Sequence, residues 1–220
     1  ANKKHLLSNY LTKMPHGLVD KKIPGIGATT LEINSKRNSI IVFPTKALAY
    51  GKHSKHPNTL YVGSEIKGEK VTNQQIEEYL AKDGYKKLLV VADSLGRLLG
   101  IIGKNYKDYF LMIDEIDVLQ TDNNFRPQLE NVIDYYLMFP LKNRCMVTAT
   151  MKEFINPLLK KECKFSITWI YNARRDVKLL HTNNTTQTVI EEIISHPRDK
   201  IFIAYNSILQ IQNILSTLDE

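Results

Sequence analysis

Cysteine is scarce in this chain, which excludes two common ways of holding a protein together. Only Cys145 and Cys163 occur among its 220 residues. Two cysteines this far apart form neither a disulfide framework nor the closely paired ligands of a zinc site. We therefore expect a reduced protein that folds around an apolar core, for which the chain is long enough.

Long hydrophobic runs are also missing. No apolar stretch approaches the roughly 20 residues that a membrane-spanning helix requires. Residues 1–5 read Ala-Asn-Lys-Lys-His and lack the apolar segment of a secretory signal. These two absences predict a cytoplasmic protein that does not associate with a membrane.

Acidic residues are fewer than basic ones, and the difference indicates a class of partner. The chain has 30 Lys and Arg against 23 Asp and Glu, which gives a net charge of +7. Clustered cations neutralise phosphates and release counterions, so this balance favours a nucleic-acid partner. A basic surface without such a partner is the alternative, and charge alone does not separate the two.

Strand and helix patterns alternate along the chain. Compact β-branched runs predict buried strands, and apolar residues three and four apart predict helices. Strands are predicted at 39–43, 61–62, 87–92, 109–114, 144–147, 165–171, 176–181 and 201–205, and helices at 45–50, 72–80, 125–139, 152–159, 186–195 and 207–218. The alternation predicts an α/β fold with a mainly parallel sheet. We expect an N-terminal segment at 1–22, a first domain at 23–163 and the start of a second domain at 164–220.

One predicted strand ends in acids. The apolar run at 110–113 leads directly into Asp114 and Glu115, and Asp117 follows after one isoleucine. Open α/β sheets bind ligands at the carboxyl ends of their strands, where these acids are expected. Adjacent carboxylates suit a Mg²⁺-bound phosphate, because one can hold the metal while its neighbour polarises water. Helix caps and surface salt bridges are the alternative uses of an acidic strand end.

A glycine-rich turn precedes the first short helix. A full phosphate loop reads Gly-x-x-x-x-Gly-Lys-Ser/Thr, and its backbone N–H groups approach phosphates closely. Aligned on Gly27, this chain has Thr29 in the hydroxyl position and Thr30 just behind it. Two positions depart from the pattern, since Ala28 replaces the lysine and Lys22 replaces the first glycine.

The missing lysine is the cation that reaches the β- and γ-phosphates. Its loss predicts weak binding, no hydrolysis, or replacement by a cation from elsewhere in the chain. The nearest candidates are Lys21 and Lys22, just upstream, and Lys46 is the next. A tight turn without any ligand is the alternative for this segment.

Together these segments resemble the first RecA-like domain of a superfamily 2 (DEAD/DEAH-like) helicase, with a degenerate Walker A motif. The resembling segments are 25–29 for motif I without its lysine, 44–49 (Pro-Thr-Lys-Ala-Leu-Ala) for motif Ia, 93–97 for the motif Ib region, 114–117 for motif II and 148–150 (Thr-Ala-Thr) for motif III. Residues 200–206 resemble the motif IV strand that opens a second RecA-like domain. The resemblance implies a parallel sheet sandwiched by helices, followed by a partial second α/β domain. It also implies that the chain is a fragment of a longer helicase polypeptide or works with a partner domain.

The resemblance also implies roles for individual residues, with ATP and Mg²⁺ as cofactors. The phosphate site would comprise Lys22, Gly25, Gly27, Ala28, Thr29 and Thr30. Asp114 and Thr29 would hold Mg²⁺, and Glu115 would orient or deprotonate the attacking water. The residues that would couple the ATP site to nucleic acid are Asp117, Thr148 and Thr150. Contacts to the phosphates of single-stranded DNA or RNA would come from Thr45, Lys46, Ser94 and Arg97.

Three functional hypotheses follow. The first is a helicase-like, nucleic-acid-dependent ATPase core, which the intact pair Asp114 and Glu115 favours. The second is a catalytically impaired RecA-like domain that binds nucleic acid or protein as a scaffold, which Ala28 favours. The third is a P-loop NTPase outside the helicases, against which the motif Ia and motif III segments argue. For the nucleic-acid contacts the alternative is helix capping, since Thr45 after Pro44 is a competent N-cap in any fold.

Overall fold

The computed structural model describes residues 6–66, 68, 70–118, 130–151, 156–168, 178–204 and 207–219. By its internal contacts the chain divides into two units, Ala1–Tyr171 and Asn172–Glu220. In the described residues of the first unit, seven strands form one sheet: β1 Gly17–Asp20, β2 Ser39–Phe43, β3 Leu60–Val62, β4 Lys87–Val91, β5 Phe110–Asp114, β6 Arg144–Thr148 and β7 Lys164–Ser166. Their order is β3-β4-β2-β5-β6-β1-β7, and every neighbouring pair is parallel. The predicted α/β fold with a parallel sheet is confirmed.

Helices connect the strands, as parallel pairing requires. The α-helices whose bounds the described residues give are α1 Ala28–Ile33, α2 Lys46–His53, α3 Asn73–Ala81, α4 Leu95–Ile102, α5 Glu130–Met138, α6 Thr185–Ser195 and α7 Ile208–Asp219. Short 3₁₀ segments lie at Leu7–Asn9, Ala92–Ser94, Gly103–Asp108, Leu141–Asn143 and Pro157–Lys161. The last of these replaces the described part of the helix predicted at 152–159. Residues 125–129 and 152–155 of the predicted helices lie outside the described residues. No helix in the described ranges is long and apolar enough to cross a membrane.

The sheet carries an apolar cluster on each face. Side chains alternate between the faces of a strand, so Ile40 and Ile41 of β2 belong to different clusters. The cluster with Ile40 includes Leu98 of α4, whereas the cluster with Ile41 includes Leu31 of α1. The four strands β2, β4, β5 and β6 are buried along their whole length. Their apolar runs are continuous, as expected for a parallel sheet covered on both sides.

The predicted N-terminal segment at 1–22 contains β1, a strand that was not among those predicted. Gly17 begins this strand, which pairs with β6 and β7. Gly17 has φ 100°, and a Cβ there would stand 2.2 Å from the carbonyl oxygen of Cys163. Only glycine fits this position without moving the backbone. A four-residue strand that begins with glycine gives too short a pattern to be found from sequence.

The C-terminal predictions fail at two strands. Residues 178–181 and 201–204 form no strand, and Phe202 is 92% exposed; residues 176, 177 and 205 lie outside the described residues. An apolar run becomes a strand only where a neighbour accepts its backbone hydrogen bonds, and the described part of the second unit holds helices alone. Of the strand predicted at 165–171, residues 169–171 are likewise not described. Because β7 pairs with β1, residues 164–166 belong to the sheet of the first unit, whereas the domain boundary was predicted just before them.

A network of buried charged residues lies at the amino-terminal ends of β2 and β4. Glu32, at the end of α1, is fully buried and accepts hydrogen bonds from Arg37 Nε at 2.8 Å and Ser39 Oγ at 2.6 Å. Its second carboxylate oxygen accepts from the backbone N–H of Met14 at 3.1 Å. Lys87, the first residue of β4, donates to the carbonyl oxygen of Glu32 at 2.7 Å. Through its carboxylate and its carbonyl oxygen, Glu32 therefore links α1 to Met14, to the Arg37–Ser39 segment and to β4.

Candidate functional site

The candidate site lies at the other end of the strands, where their carboxyl ends meet. A cavity of about 920 Å³ opens where β1 and β5 end and the glycine loop begins. The residues that line it include Lys21, Gly25, Gly27, Ala28, Thr29, Thr30, Asp114 and Glu115. The structure thus brings together the glycine loop and the two acids, which are about 85 residues apart in sequence.

The glycine loop adopts a backbone that depends on its glycines. Gly25 and Gly27 have φ 79° and 83°, and Gly27 is the N-cap of α1. Left-handed φ values are rarely adopted by residues with a Cβ. Ala28 and Thr29 are buried at the start of α1, and Thr30 is half-buried. Gly25, Gly27 and Ala28 line the cavity, as is expected of a phosphate loop.

Thr29 and Asp114 meet directly. The hydroxyl of Thr29 donates to Asp114 Oδ2 at 2.5 Å, and Asp114 is only 4% exposed. The other oxygen, Oδ1, accepts no hydrogen bond from the described residues, although Lys21 Nζ lies 3.5 Å away. A buried carboxylate oxygen left without a hydrogen bond, next to a hydroxyl, fits a hard cation such as Mg²⁺.

The buried cation at this site is Lys21. Its Nζ donates to Glu115 Oε1 at 2.7 Å, and the residue is 5% exposed. Burial alone would lower the pKa of Lys21, but the carboxylates of Asp114 and Glu115 raise it above its usual value. Lys21 is therefore charged in the folded protein.

Lys22, the lysine placed in the phosphate site by the resemblance to motif I, points elsewhere. Its side chain is 57% exposed and its Nζ lies 2.5 Å from Asp20 Oδ2. Lys22 does not line the cavity in the described structure. The sequence gives no sign of this difference between the two lysines, because it depends on where β1 ends.

Two backbone positions at the site carry positive φ without being glycine. In the described residues these are Lys22 and Glu115, each with φ 53°. Such a conformation costs on the order of 1–3 kcal/mol and occurs mainly at functional sites. The turn after β5 holds Glu115 in this conformation, since the N–H of Val118 donates to its carbonyl oxygen at 3.1 Å.

Asp117 joins the acidic segment to the end of β6. Its carboxylate accepts hydrogen bonds from the hydroxyl of Thr148 at 2.5 Å and from the hydroxyl of Thr150. Burial alone would raise the pKa of Asp117, but these two hydrogen bonds lower it below its usual value. The three residues predicted to couple the ATP site to nucleic acid are therefore in direct contact.

The four predicted nucleic-acid contacts follow two adjacent strands. Thr45 accepts from the N–H of Leu48 and caps α2, and Lys46 is exposed beside it. Ser94 is half-buried at the N-cap of α4, where its side chain makes no capping hydrogen bond. Arg97 donates to the Val71 carbonyl oxygen at 2.6 Å and to the Asn73 side chain at 2.9 Å. Because β2 and β4 are neighbours, all four residues lie at the same edge of the sheet.

A parallel sheet with a glycine loop after β1 and paired acids after β5 defines a RecA-like domain. The DEAD/DEAH box helicase family model matches residues 22–158, which is more than half of the chain. The chain belongs to the DEAD/DEAH box helicase family. No curated protein matches it. Membership indicates a nucleotide-dependent core that binds nucleic acid.

Proposed function

We propose that this chain is the core of a helicase-like enzyme that hydrolyses ATP with Mg²⁺ in response to single-stranded DNA or RNA. The observation that carries the proposal is the assembly of Thr29, Asp114, Glu115 and Lys21 beside the glycine loop in one cavity. The same cavity is lined by Leu6, Leu11 and Leu31, whose apolar side chains suit the face of a nucleobase.

Each side chain has a task that its position allows. The loop N–H groups and the Thr29 hydroxyl would bind phosphate oxygens, and Asp114 with Thr29 would hold Mg²⁺. Bound Mg²⁺ would supply positive charge to the phosphates. Glu115 would orient the attacking water and accept its proton while the water oxygen bonds to the terminal phosphorus and the bond to the bridging oxygen breaks.

The experiment that tests the proposal is a hydrolysis assay. ATP turnover is measured on the full-length protein with Mg²⁺, with and without single-stranded DNA and RNA. Turnover that nucleic acid stimulates supports the proposal. No turnover under any of these conditions would refute it.

The contacts of Asp117 give the proposal a route for coupling. Thr148 ends β6 and Asp117 follows β5, so both residues lie at the same end of the sheet as Asp114. Nucleic acid would bind outside this edge through Thr45, Lys46, Ser94 and Arg97, and the contacts of Asp117 with Thr148 and Thr150 would transmit its presence. The motif Ia residues Thr45 and Lys46 follow β2, which pairs with β5.

Thr150→Val tests this coupling. The substitution keeps the shape of an exposed side chain and removes the hydroxyl that donates to Asp117. The ratio of stimulated to unstimulated hydrolysis is expected to fall by about fivefold or more, at the low end of typical coupling energies. The measurement is ATP turnover against nucleic-acid concentration, with Thr217→Val, an exposed threonine of α7, as the matched control. An unchanged ratio would show that the Thr150 hydroxyl carries no coupling.

A second candidate function has one observation in its favour. Ala28 lies where a phosphate loop has its lysine, and a domain that had lost catalysis could remain as a scaffold for nucleic acid or protein. The assay above, together with a measurement of nucleic-acid binding at several salt concentrations, separates the two functions. Salt-sensitive nucleic-acid binding without ATP turnover would identify the scaffold.

A further inference from the structure

The glycine loop has no cation of its own, because Ala28 stands in the lysine position. The lysines that line the cavity are Lys13, Lys21, Lys36 and Lys52, and of these only Lys21 is buried. We propose that Lys21 replaces the missing lysine and binds the β- and γ-phosphate oxygens of ATP from the end of β1. This inference rests on the proposed function, since it names the cation of the same site.

Because side chains alternate along β1, the side chain of Lys21 lies on the face of the sheet that the glycine loop covers. Val19 packs in the same apolar cluster as Ile26 and Ala28, which belong to the loop and α1. Lys21 follows two residues later and so lies on the same face as Val19. Its backbone N–H donates to the carbonyl oxygen of Thr148 at 2.8 Å, which continues the pairing between β1 and β6 beyond Asp20. The sheet itself therefore fixes the direction of this side chain.

The contacts of Lys21 leave it able to bind phosphate. Its ammonium has three N–H donors, and the two nearest acceptors are Glu115 Oε1 at 2.7 Å and Asp114 Oδ1 at 3.5 Å. A third N–H remains for a phosphate oxygen. Because the ammonium is largely shielded from water, a charged hydrogen bond made there is stronger than one at the surface.

Asp114 Oδ1 is a second sign that this space takes a ligand, since its one ion-pair partner among the described residues is Lys21 Nζ at 3.5 Å. Oδ1 is buried, belongs to a residue that lines the cavity, and accepts no hydrogen bond from the described residues. Buried polar atoms are rarely left without a partner. A phosphate-bound cation beside Oδ1 would satisfy it, and Lys21 would then contact the phosphate from the other side.

Lys21→Met removes the charge and keeps an unbranched side chain. It is expected to weaken ATP binding by about 10- to 100-fold, the loss that one missing charged hydrogen bond gives. AMP lacks both phosphates that Lys21 would bind, so its affinity is expected to stay the same. The measurement is isothermal titration calorimetry with Mg²⁺ on the full-length protein, and melting temperatures show that each variant is folded.

The double variant Lys21→Met with Ala28→Lys tests whether a lysine in the loop can restore ATP binding. A lysine returned to the loop is expected to regain most of the lost ATP affinity, which a purely structural role of Lys21 would not allow. Should Lys21→Met fail to fold, Lys21→Arg keeps the charge, and its ATP affinity is expected to remain close to that of the wild type. Lys142→Met, at an exposed lysine remote in sequence from the site, is the neutral control.

Three results would overturn the inference while the proposed function stands. The first is wild-type ATP affinity in Lys21→Met. The second is a larger loss in Lys22→Met, which would move the role to the neighbouring lysine. The third is full recovery of ATP binding in Lys21→Met with Glu115→Gln, because Lys21 would then act only by neutralising Glu115. If the wild-type protein binds no ATP, the proposed function fails and this inference fails with it.

Discussion

Replacing Glu115 by glutamine is expected to reduce nucleic-acid-stimulated ATP hydrolysis by about 10²- to 10⁴-fold, the range that a positioned general base contributes. Glutamine has nearly the same shape but cannot take the proton of the attacking water. ATP binding is expected to persist, because removing a negative charge near the phosphates reduces repulsion. The measurements are turnover and ATP affinity on the same preparation.

The control for this prediction is Glu77→Gln, at an exposed glutamate on α3, which is expected to leave turnover unchanged. Because Glu115 pairs with Lys21 at 2.7 Å, the melting temperature of Glu115→Gln must also be compared with that of the wild type. Turnover within about tenfold of the wild-type rate, in a folded variant, would contradict the role of Glu115.

Glu32→Gln is expected to lower the free energy of unfolding by about 3–5 kcal/mol, the typical result of removing one partner of a buried ion pair. Glutamine fills the same space, so no cavity explains the loss. What changes is the charge that Arg37 contacts at 2.5 Å and that lies beside the buried Lys87. Chemical denaturation at neutral pH measures the loss, and Glu77→Gln is expected to stay within about 0.5 kcal/mol of the wild type.

The same network predicts a pH dependence. Burial alone would raise the pKa of Glu32, but hydrogen bonds and charge from Arg37 lower it below its usual value of 4.5. A carboxyl with a lowered pKa contributes stability that is present above pH 4.5 and is lost as pH falls through the folded-state pKa. The stability difference between wild type and Glu32→Gln is therefore expected to shrink below pH 4.5. A difference that stays constant down to acid unfolding would show that the charge of Glu32 is not its source.

Much of the sheet can be predicted from local pattern. The strands β2, β4, β5 and β6 are continuous apolar runs, and the structure places all four at its centre. The hydrophobic pattern fails at elements that are short or whose conformation depends on residues distant in sequence. β1 begins with a glycine that is required by the Cys163 carbonyl oxygen, which is far away in sequence. The run at 201–204 has the composition of a strand but no strand beside it among the described residues.

The sequence by itself determined which chemical groups this protein has and which segments carry them. Gly25, Gly27 and Thr29 in one segment, and Asp114 and Glu115 in another, are the residue types that predict a phosphate and metal site. These residue types lie next to strand and helix boundaries that local composition specifies.

Only the tertiary structure decided which lysine faces that site. Lys21 and Lys22 are adjacent and chemically identical, so no pattern in the sequence distinguishes them. β1 continues far enough for the N–H of Lys21 to pair with Thr148, and Lys22 then takes a positive φ. Because side chains alternate along a strand, a shift of the β1 register by one residue would have exchanged the directions of the two lysines. The register between β1 and β6 therefore determines that Lys21, and not Lys22, lies beside the glycine loop, and the sequence does not reveal this register.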